Sequence, residues 1–442
     1  MAQTPPKRSA KSPRDARHRA ALALGQVLQE NQRLDRVVEV LRAEMGDARD
    51  AAFARELLSG TVRWHLRLRF LLDQLLSRPL KDATLELPLL LGLYQLMSTR
   101  VAPHAAVSSS VELARKLGFR SASGLVNGVL RGYQRQAADL AKRADADLQA
   151  RYAHPLWFIE AMRSAYPQHW QQVLDANNQR APLTLRVNAT RTSRKAYMES
   201  LEAANIEASA VSSTPYGITL SNSRDPRALP GFDEGLVSVQ DGAAQLASEL
   251  LDAPNSASVL DACAAPGGKT AAILERAPDV TVTAADVNDV RLERTGEALQ
   301  RLGLSATLTQ ADATVAADWA GRERFTHVLA DVPCSATGII RRHPDVKLRR
   351  KAGDAARFAD TQQKILETLW SLTKPGGTLL YATCSLLPEE NGDVVSAFLA
   401  RQNDARETTP AIAGAVPMSV GQQLLPGTHQ MDGFYYARLT RS

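Results

Sequence analysis

The sequence predicts a multidomain protein, all-α at its N-terminus and doubly wound α/β at its C-terminus, with a small mixed α/β segment between. Three observations carry this. At 442 residues the chain is too long for one ordinary domain. Over residues 17–135 apolar side chains recur at helical spacing with no strand-like alternation. From about Val237 short apolar runs alternate with helical segments, the rhythm of parallel strands joined by crossovers. The expected boundaries are 1–16, 17–150, 151–236 and 237–442.

The first stretch, residues 1–16, holds Pro, Ser, Lys and Arg without hydrophobic periodicity and reads as a disordered basic tail. In the helical region Leu34, Val38 and Leu41 share a face, as do Leu68, Leu71, Leu72 and Leu75, and Leu87, Leu90, Leu91 and Tyr94. It holds no clustered acid, base or nucleophile, so docking or RNA binding is the functional expectation and a structural appendage the plain one. The middle segment reads as a helix over 155–178, a strand over 183–187, a helix over 193–204 and a strand over 218–220. Arg180, Arg186, Arg191, Arg194 and Lys195 suit RNA contact there, or an ordinary solvated face. In the last domain strands are expected over 258–263, 280–287, 306–312, 326–332 and 377–383, with helices over 270–276, 289–302 and 355–372.

Composition narrows the class. Lys and Arg number 53 against 47 acids, a net +6 with a pI near 9.2, which favours a polyanionic partner. The three cysteines, Cys263, Cys334 and Cys384, are odd in number and lack C-x-x-C spacing. Neither a disulfide framework nor a zinc site is therefore expected, and a reducing cytoplasm is. The N-terminus has no signal-peptide core, and the most apolar run, 87–97, is shorter than the roughly 20 residues a bilayer needs.

The most informative stretch is LDACAAPGGKTAAI at 260–273. An apolar strand ends in an acid, a small-residue turn follows, and a helix begins whose N–H groups would point at a ligand. The fingerprint G-x-G-x-x-G is absent, so the glycines alone are weak evidence. Four strands end on Asp261, Asp286, Asp312 and Asp331, which should rim one crevice. Asp286 has the place and spacing of an acid that binds ribose hydroxyls, and Asp312 could take an adenine amino group. Each could instead be a helix N-cap. GGKT nearly completes a P-loop, which makes an RNA-dependent ATPase the runner-up. That motif, however, requires glycine where Cys263 stands.

Cys334 follows the fourth strand and Cys384 the fifth, so neighbouring strand ends should bring both thiols to the crevice. Either alone would be read as a small buried hydrophobe. Together they suit methylation at pyrimidine C5. A thiolate adds at C6, C5 becomes an enamine carbon that takes a sulfonium methyl, and loss of the C5 proton expels the thiol. Asp331 could supply the hydrogen bond at N3. Spacing does not say which cysteine attacks. The run 339–351, with Arg341, Arg342, Lys347, Arg349, Arg350 and Lys351, reads as a phosphate clamp. A target base must be unstacked, which favours single-stranded or loop RNA.

At DACAAPGGKT, ADVPCSATGIIRRHPDVK, LLYATCSLLPEEN and QQLLPGTHQMDGFYYARL the chain resembles the NOL1/NOP2/Sun family of RNA cytosine-C5 methyltransferases. SGLVNGVLRGY at 123–133 resembles a NusB-type RNA-binding domain. The resemblance implies a NusB-like bundle, an RNA-contacting insert and a Rossmann-like methyltransferase domain with a mostly parallel seven-stranded sheet. It implies S-adenosylmethionine as cofactor and cytosine 967 of 16S rRNA as target, in naked rRNA or an early assembly intermediate. Carried over by residue, Cys384 would be the nucleophile, Cys334 would assist product release, and Asp331 would steady the ring and border the methionine end of the cofactor. Cys263, Ala264, Ala265, Pro266, Gly267, Gly268 and Lys269, with Asp286 and Asp312, would line the cofactor. No metal, no membrane and a monomer are expected. A non-catalytic RNA-binding assembly factor is the remaining alternative, and it predicts that both thiols are dispensable.

Overall fold

The computed structural model describes residues 13–222, 224–319 and 324–442. Two compact units form, one running up to Glu160 together with His343–Arg349, the other comprising Ala161–Arg342 and Arg350–Ser442. No described helix is long and apolar enough to cross a membrane.

The first unit is helical: α1 (Pro13–Leu28), α2 (Leu34–Glu44), α3 (Ala48–Arg63), α4 (His65–Leu75), α5 (Glu86–Ser98), α6 (Pro103–Lys116), α7 (Ser123–Ala146) and α8 (Leu148–Tyr152). The apolar run too short for a bilayer is the central helix α5, buried continuously from Leu87 to Gln95. Its neighbours come close because small residues face it. A Cβ at Gly60 would lie 2.0 Å from the Tyr94 ring. Asp47 starts α3 by accepting from the N–H groups of Arg49 and Asp50. Helix α1 begins at Pro13, so residues 13–16 belong to it and not to the expected tail. Residues 1–12 of that tail lie outside the described residues.

Helices α9 (Leu156–Ala165) and α10 (Trp170–Asn178) replace the single helix expected over 155–178. Next comes a four-stranded antiparallel sheet of β1 (Leu183–Val187), β2 (Ala208–Ala210), β3 (Gly217–Leu220) and β4 (Val237–Val239), in the order β2-β3-β1-β4. Helix α11 (Arg194–Ala203) contributes Tyr197 and Leu201 to its core. Val237–Val239, expected to open the C-terminal domain, pairs instead with β1.

The large sheet contains β5 (Ser258–Asp261), β6 (Thr281–Asp286), β7 (Thr307–Gln310), β8 (Phe325–Asp331), β9 (Thr373–Thr383), β10 (Ala405–Glu407), β11 (Val416–Pro417), β12 (Gln422–Leu424) and β13 (Phe434–Arg441). Its order is β11-β12-β13-β9-β8-β5-β6-β7, with β10 also on β13. The five strands from β7 to β9 are parallel, and β13 joins antiparallel to β9. This is the mostly parallel, doubly wound core that was expected. Nine strands stand where seven were, because the short pieces β10–β12 carry too few residues to show a period. Helices α12 (Gly242–Leu251), α13 (Gly268–Arg276), α14 (Asp289–Leu302), α16 (Asp354–Leu372) and α17 (Gly392–Leu399) accompany the sheet, while α15 (Val346–Arg349) lies in the first unit. Apolar clusters lie on both faces, as a parallel sheet requires. After β5 the chain winds through β6 and β7 on one side, then returns to β8 and β9 on the other. Such a switch opens a crevice at the carboxyl ends of the strands.

Candidate active site

A cleft of about 570 Å³ opens at those strand ends. Asp286, Asp312 and Asp331 line it together with Cys263, Ala265, Cys334 and Cys384. Five stretches far apart in sequence thus converge on one place. A larger cavity of about 910 Å³ in the helical unit is lined by Arg115, Lys116 and Arg131, with no cysteine among its lining residues.

Each group's setting decides what it can do. Asp286 ends β6 and is nearly buried. Its Oδ2 accepts from the Ala265 N–H at 3.2 Å, and Oδ1 from Asn288 N–H at 3.0 Å. The N-cap of α14 is Asn288, which accepts from Arg291 N–H, so Asp286 does not perform that job. Asp312 lies two residues beyond β7 rather than at its end, and its Oδ1 accepts from Thr314 N–H at 2.8 Å and Thr314 Oγ1 at 2.7 Å. Asp331 ends β8 and pairs with Lys269 Nζ at 2.6 Å. Burial works against the Lys269 ammonium, but Asp331 outweighs it and holds its pKa above the usual lysine range.

Asp261 departs from expectation. It is fully buried beneath the loop and does not line the cleft; its Oδ2 accepts from Thr270 Oγ1 at 2.7 Å and its Oδ1 has no partner. Burial pushes its carboxyl up to about 7. Ala264, Pro266, Gly267, Gly268 and Lys269 also lie outside the lining, Lys269 reaching it only through its pair with Asp331. The first four shape the turn: Gly267, at φ 88°, precedes α13 where a Cβ would strike Thr295. Cys263 does line the cleft, and burial first, then Asp331, pushes its thiol up.

The two other thiols face each other, Cys334 Sγ lying 3.4 Å from Cys384 Sγ. Adjacent parallel strands bring them there, since Asp331 of β8 is in register with Ala382 of β9. The loops are also tied together. Gly338 N–H donates to the Cys384 carbonyl at 2.8 Å, and a Cβ at Gly338 would lie 2.9 Å from that oxygen and 2.2 Å from the Gly433 carbonyl. The hydrogen bond with Cys384 and then burial push the Cys334 thiol well up. Behind the sulfurs Ser335, Ser385 and the buried Glu390 form a hydrogen-bonded cluster. Glu390 is the residue that sequence reasoning passed over, and nothing in LLPEEN sets it apart from its neighbour Glu389.

Most of the basic run is engaged within the fold rather than free to clamp a phosphate. Arg341 and Arg342 both pair with Asp432 and Asp241, and Arg341 is only 3% exposed. Lys347 is buried in the helical unit, where Asp345 accepts from Leu34 N–H at 3.2 Å. Arg350 donates to the carbonyls of Ser335 and Cys334 at 2.8 and 3.4 Å. The insert's arginines are engaged likewise. Arg186 forms a buried two-bond pair with Glu275 at 2.7 and 2.9 Å, Arg191 donates to Leu302 and Glu234 carbonyls, and Arg194 to those of Val211 and Thr214. Among the described residues no group of three His, Cys, Asp or Glu could hold a metal ion.

Comparison with known proteins finds three matching family models. Residues 248–440 match "16S rRNA methyltransferase RsmB/F", 154–226 its ferredoxin-like domain, and 14–135 the NusB family. A Klebsiella pneumoniae protein called ribosomal RNA small subunit methyltransferase B is 44% identical, covering 96% of this chain and 97% of that protein. An Escherichia coli protein of the same name is 42% identical over 98% of this chain and the whole of that one. Among solved structures, PH0851 shares the fold over 98% of this chain and 100% of its own, with a TM-score of 0.80 at 21% identity. A methyltransferase homologue from Pyrococcus horikoshii reaches 0.59 at 25% identity, over 66% of this chain and 97% of that one.

Proposed function

This chain belongs to the RsmB/F family of 16S rRNA methyltransferases, and on that premise we propose that it methylates C5 of a cytosine, cytosine 967, in 16S rRNA through a covalent adduct between Cys384 and C6. The observation that carries the reading is the pair of thiols 3.4 Å apart at the rim of a cleft lined by acids.

The cleft suits S-adenosylmethionine. Its volume of about 570 Å³ is that of a small-ligand site, and alanines 262, 265, 311 and 313 let a flat nucleoside approach the backbone. Asp286 would hold the ribose hydroxyls, Asp312 the adenine amino group, and the loop from Cys263 to Lys269 with Asp331 the methionine end. When bound, S-adenosylmethionine supplies the electrophilic methyl group.

The chain's own groups do the rest. Of the two facing thiols, Cys334 is the one whose hydrogen bond with its neighbour and whose burial push it up, which suits it to the protonated, assisting role. The Lys269 ammonium lies close enough to interact favourably with a Cys384 thiolate. That thiolate adds to C6, and the C5–C6 electron pair moves to C5. Asp331, oriented by Lys269, steadies the ring at N3. Once C5 carries its methyl, water takes the C5 proton, the C5–C6 double bond re-forms as the C6–sulfur bond breaks, and Cys334 assists the departure of the Cys384 sulfur.

We assign docking of the RNA, naked or in an early assembly intermediate, to the helical segment 17–150, and a connecting role to 151–236. Chemistry belongs to 237–442, in a cytoplasmic monomer. The test is transfer of labelled methyl groups to 16S rRNA followed by base-resolution mapping. Label at C5 of cytosine 967 supports the proposal; label elsewhere, or none, overturns it.

A further inference from the structure

Six residues past Cys384 the chain buries a glutamate completely. The two carboxylate oxygens of Glu390 divide between the two cysteine loops. Oε2 accepts from the backbone N–H of Ser335, next to Cys334, at 2.7 Å; Oε1 accepts from Oγ of Ser385, next to Cys384, at 2.8 Å. The two serine hydroxyls are themselves 3.0 Å apart. Gln362 Nε2 donates to Oε2 at 3.3 Å and to the Pro333 carbonyl at 3.0 Å. Every one of these partners is neutral.

A buried carboxylate without a countercharge is costly, and two loops can be tied by a neutral amide. The charge therefore has a use beyond tethering. We propose that Glu390 is a positioning residue for the thiol pair: it holds the two sulfurs within reach of one another, and its charge keeps the proton on Cys334. The inference rests on the methyl-transfer reading for its purpose and on the distances for its geometry. Three donated hydrogen bonds mark Glu390 as an acceptor, although burial pushes its carboxyl up. Its charge adds to the hydrogen bond and the burial that push the Cys334 thiol up.

The full-length chain, without RNA or methyl donor, carries the test in three forms: unaltered, Glu390→Gln and Glu390→Asp. Alkylation by iodoacetamide is followed against pH at each cysteine's own peptide by mass spectrometry. Glu390→Gln keeps the size and an acceptor for the Ser335 N–H but removes the charge. The Cys334 midpoint should fall by about one pH unit, a tenfold gain in reactivity below it, while Cys263 stays put. Glu390→Asp keeps the charge but is one methylene too short to span both loops. There the Cys334 midpoint should stay high, while diamide, which takes two electrons and two protons from a thiol pair, should form the Cys334–Cys384 disulfide about tenfold more slowly. An unmoved midpoint in Glu390→Gln or an undiminished rate in Glu390→Asp overturns the proposal. Neither readout involves RNA, so the methyl-transfer reading fails separately, by an unaltered protein that methylates no rRNA.

Discussion

Two polar stretches lie a few residues apart in sequence and meet opposite fates. At 331–334 an acid and a thiol stay on the rim of the cleft, where Asp331 and Cys334 face open space. At 341–342 two arginines turn inward onto Asp241 and Asp432. Both looked equally functional as sequence. The difference is whether the fold provides a partner: a buried guanidinium must find a carboxylate, whereas a strand end opens on a ligand. Charge density alone says nothing about which fate applies.

The comparison can be broken most forcefully at the rim. Cys384→Ala should lower single-turnover methyl transfer by about a thousandfold or more while leaving the thermal midpoint nearly unchanged. The opposite signature is expected at the inward stretch. Arg341→Ala leaves the buried carboxylates of Asp241 and Asp432 sharing Arg342 alone and should cost about 3 kcal/mol of unfolding free energy in urea titration. If it instead weakened RNA binding in a fully stable protein, the clamp would be restored.

Asp261 sharpens the same contrast by pH. Its carboxyl is raised from 3.8 to about 7 in the folded protein. Such a group contributes stability that is fully present below about pH 3.8 and lost as pH rises through about 7. Asp261→Asn should therefore lose less stability than the unaltered protein between pH 4 and pH 8, by a few kcal/mol. Parallel slopes in the two would show that the buried acid is ionised throughout. The smallest effect is expected at Asp286→Ala, which should weaken S-adenosylmethionine binding about tenfold in calorimetry, with RNA affinity unmoved. Loss of both affinities would mean that Asp286 shapes the cleft rather than holding the cofactor.

Much of this was legible beforehand, for physical reasons. Helix α14 was expected over 289–302 and runs Asp289–Leu302, because an apolar stripe is bracketed by a capping Asn288 and by Gly303 in the left-handed region. Strand β1 agrees residue for residue, being a short alternation of apolar Leu183, Leu185 and Val187 with polar Thr184 and Arg186. The convergence of Cys334, Cys384, Asp286, Asp312 and Asp331 followed from parallel topology alone. What escaped notice depends on partners distant in sequence. Val237–Val239 is a strand only because β1 accepts it. Arg186 is structural only because Glu275 lies 89 residues away in sequence and 2.7 Å in space. Glu390 shows its purpose only once both serines converge on it.

The most direct test of the central claim is a denaturing gel of Cys334→Ala and Cys384→Ala proteins incubated with 16S rRNA and S-adenosylmethionine. The covalent account predicts a slow-migrating protein–RNA adduct that accumulates with Cys334→Ala and is absent with Cys384→Ala. The reverse pattern would contradict the assignment of the two thiols, and no adduct in either would contradict the covalent mechanism itself.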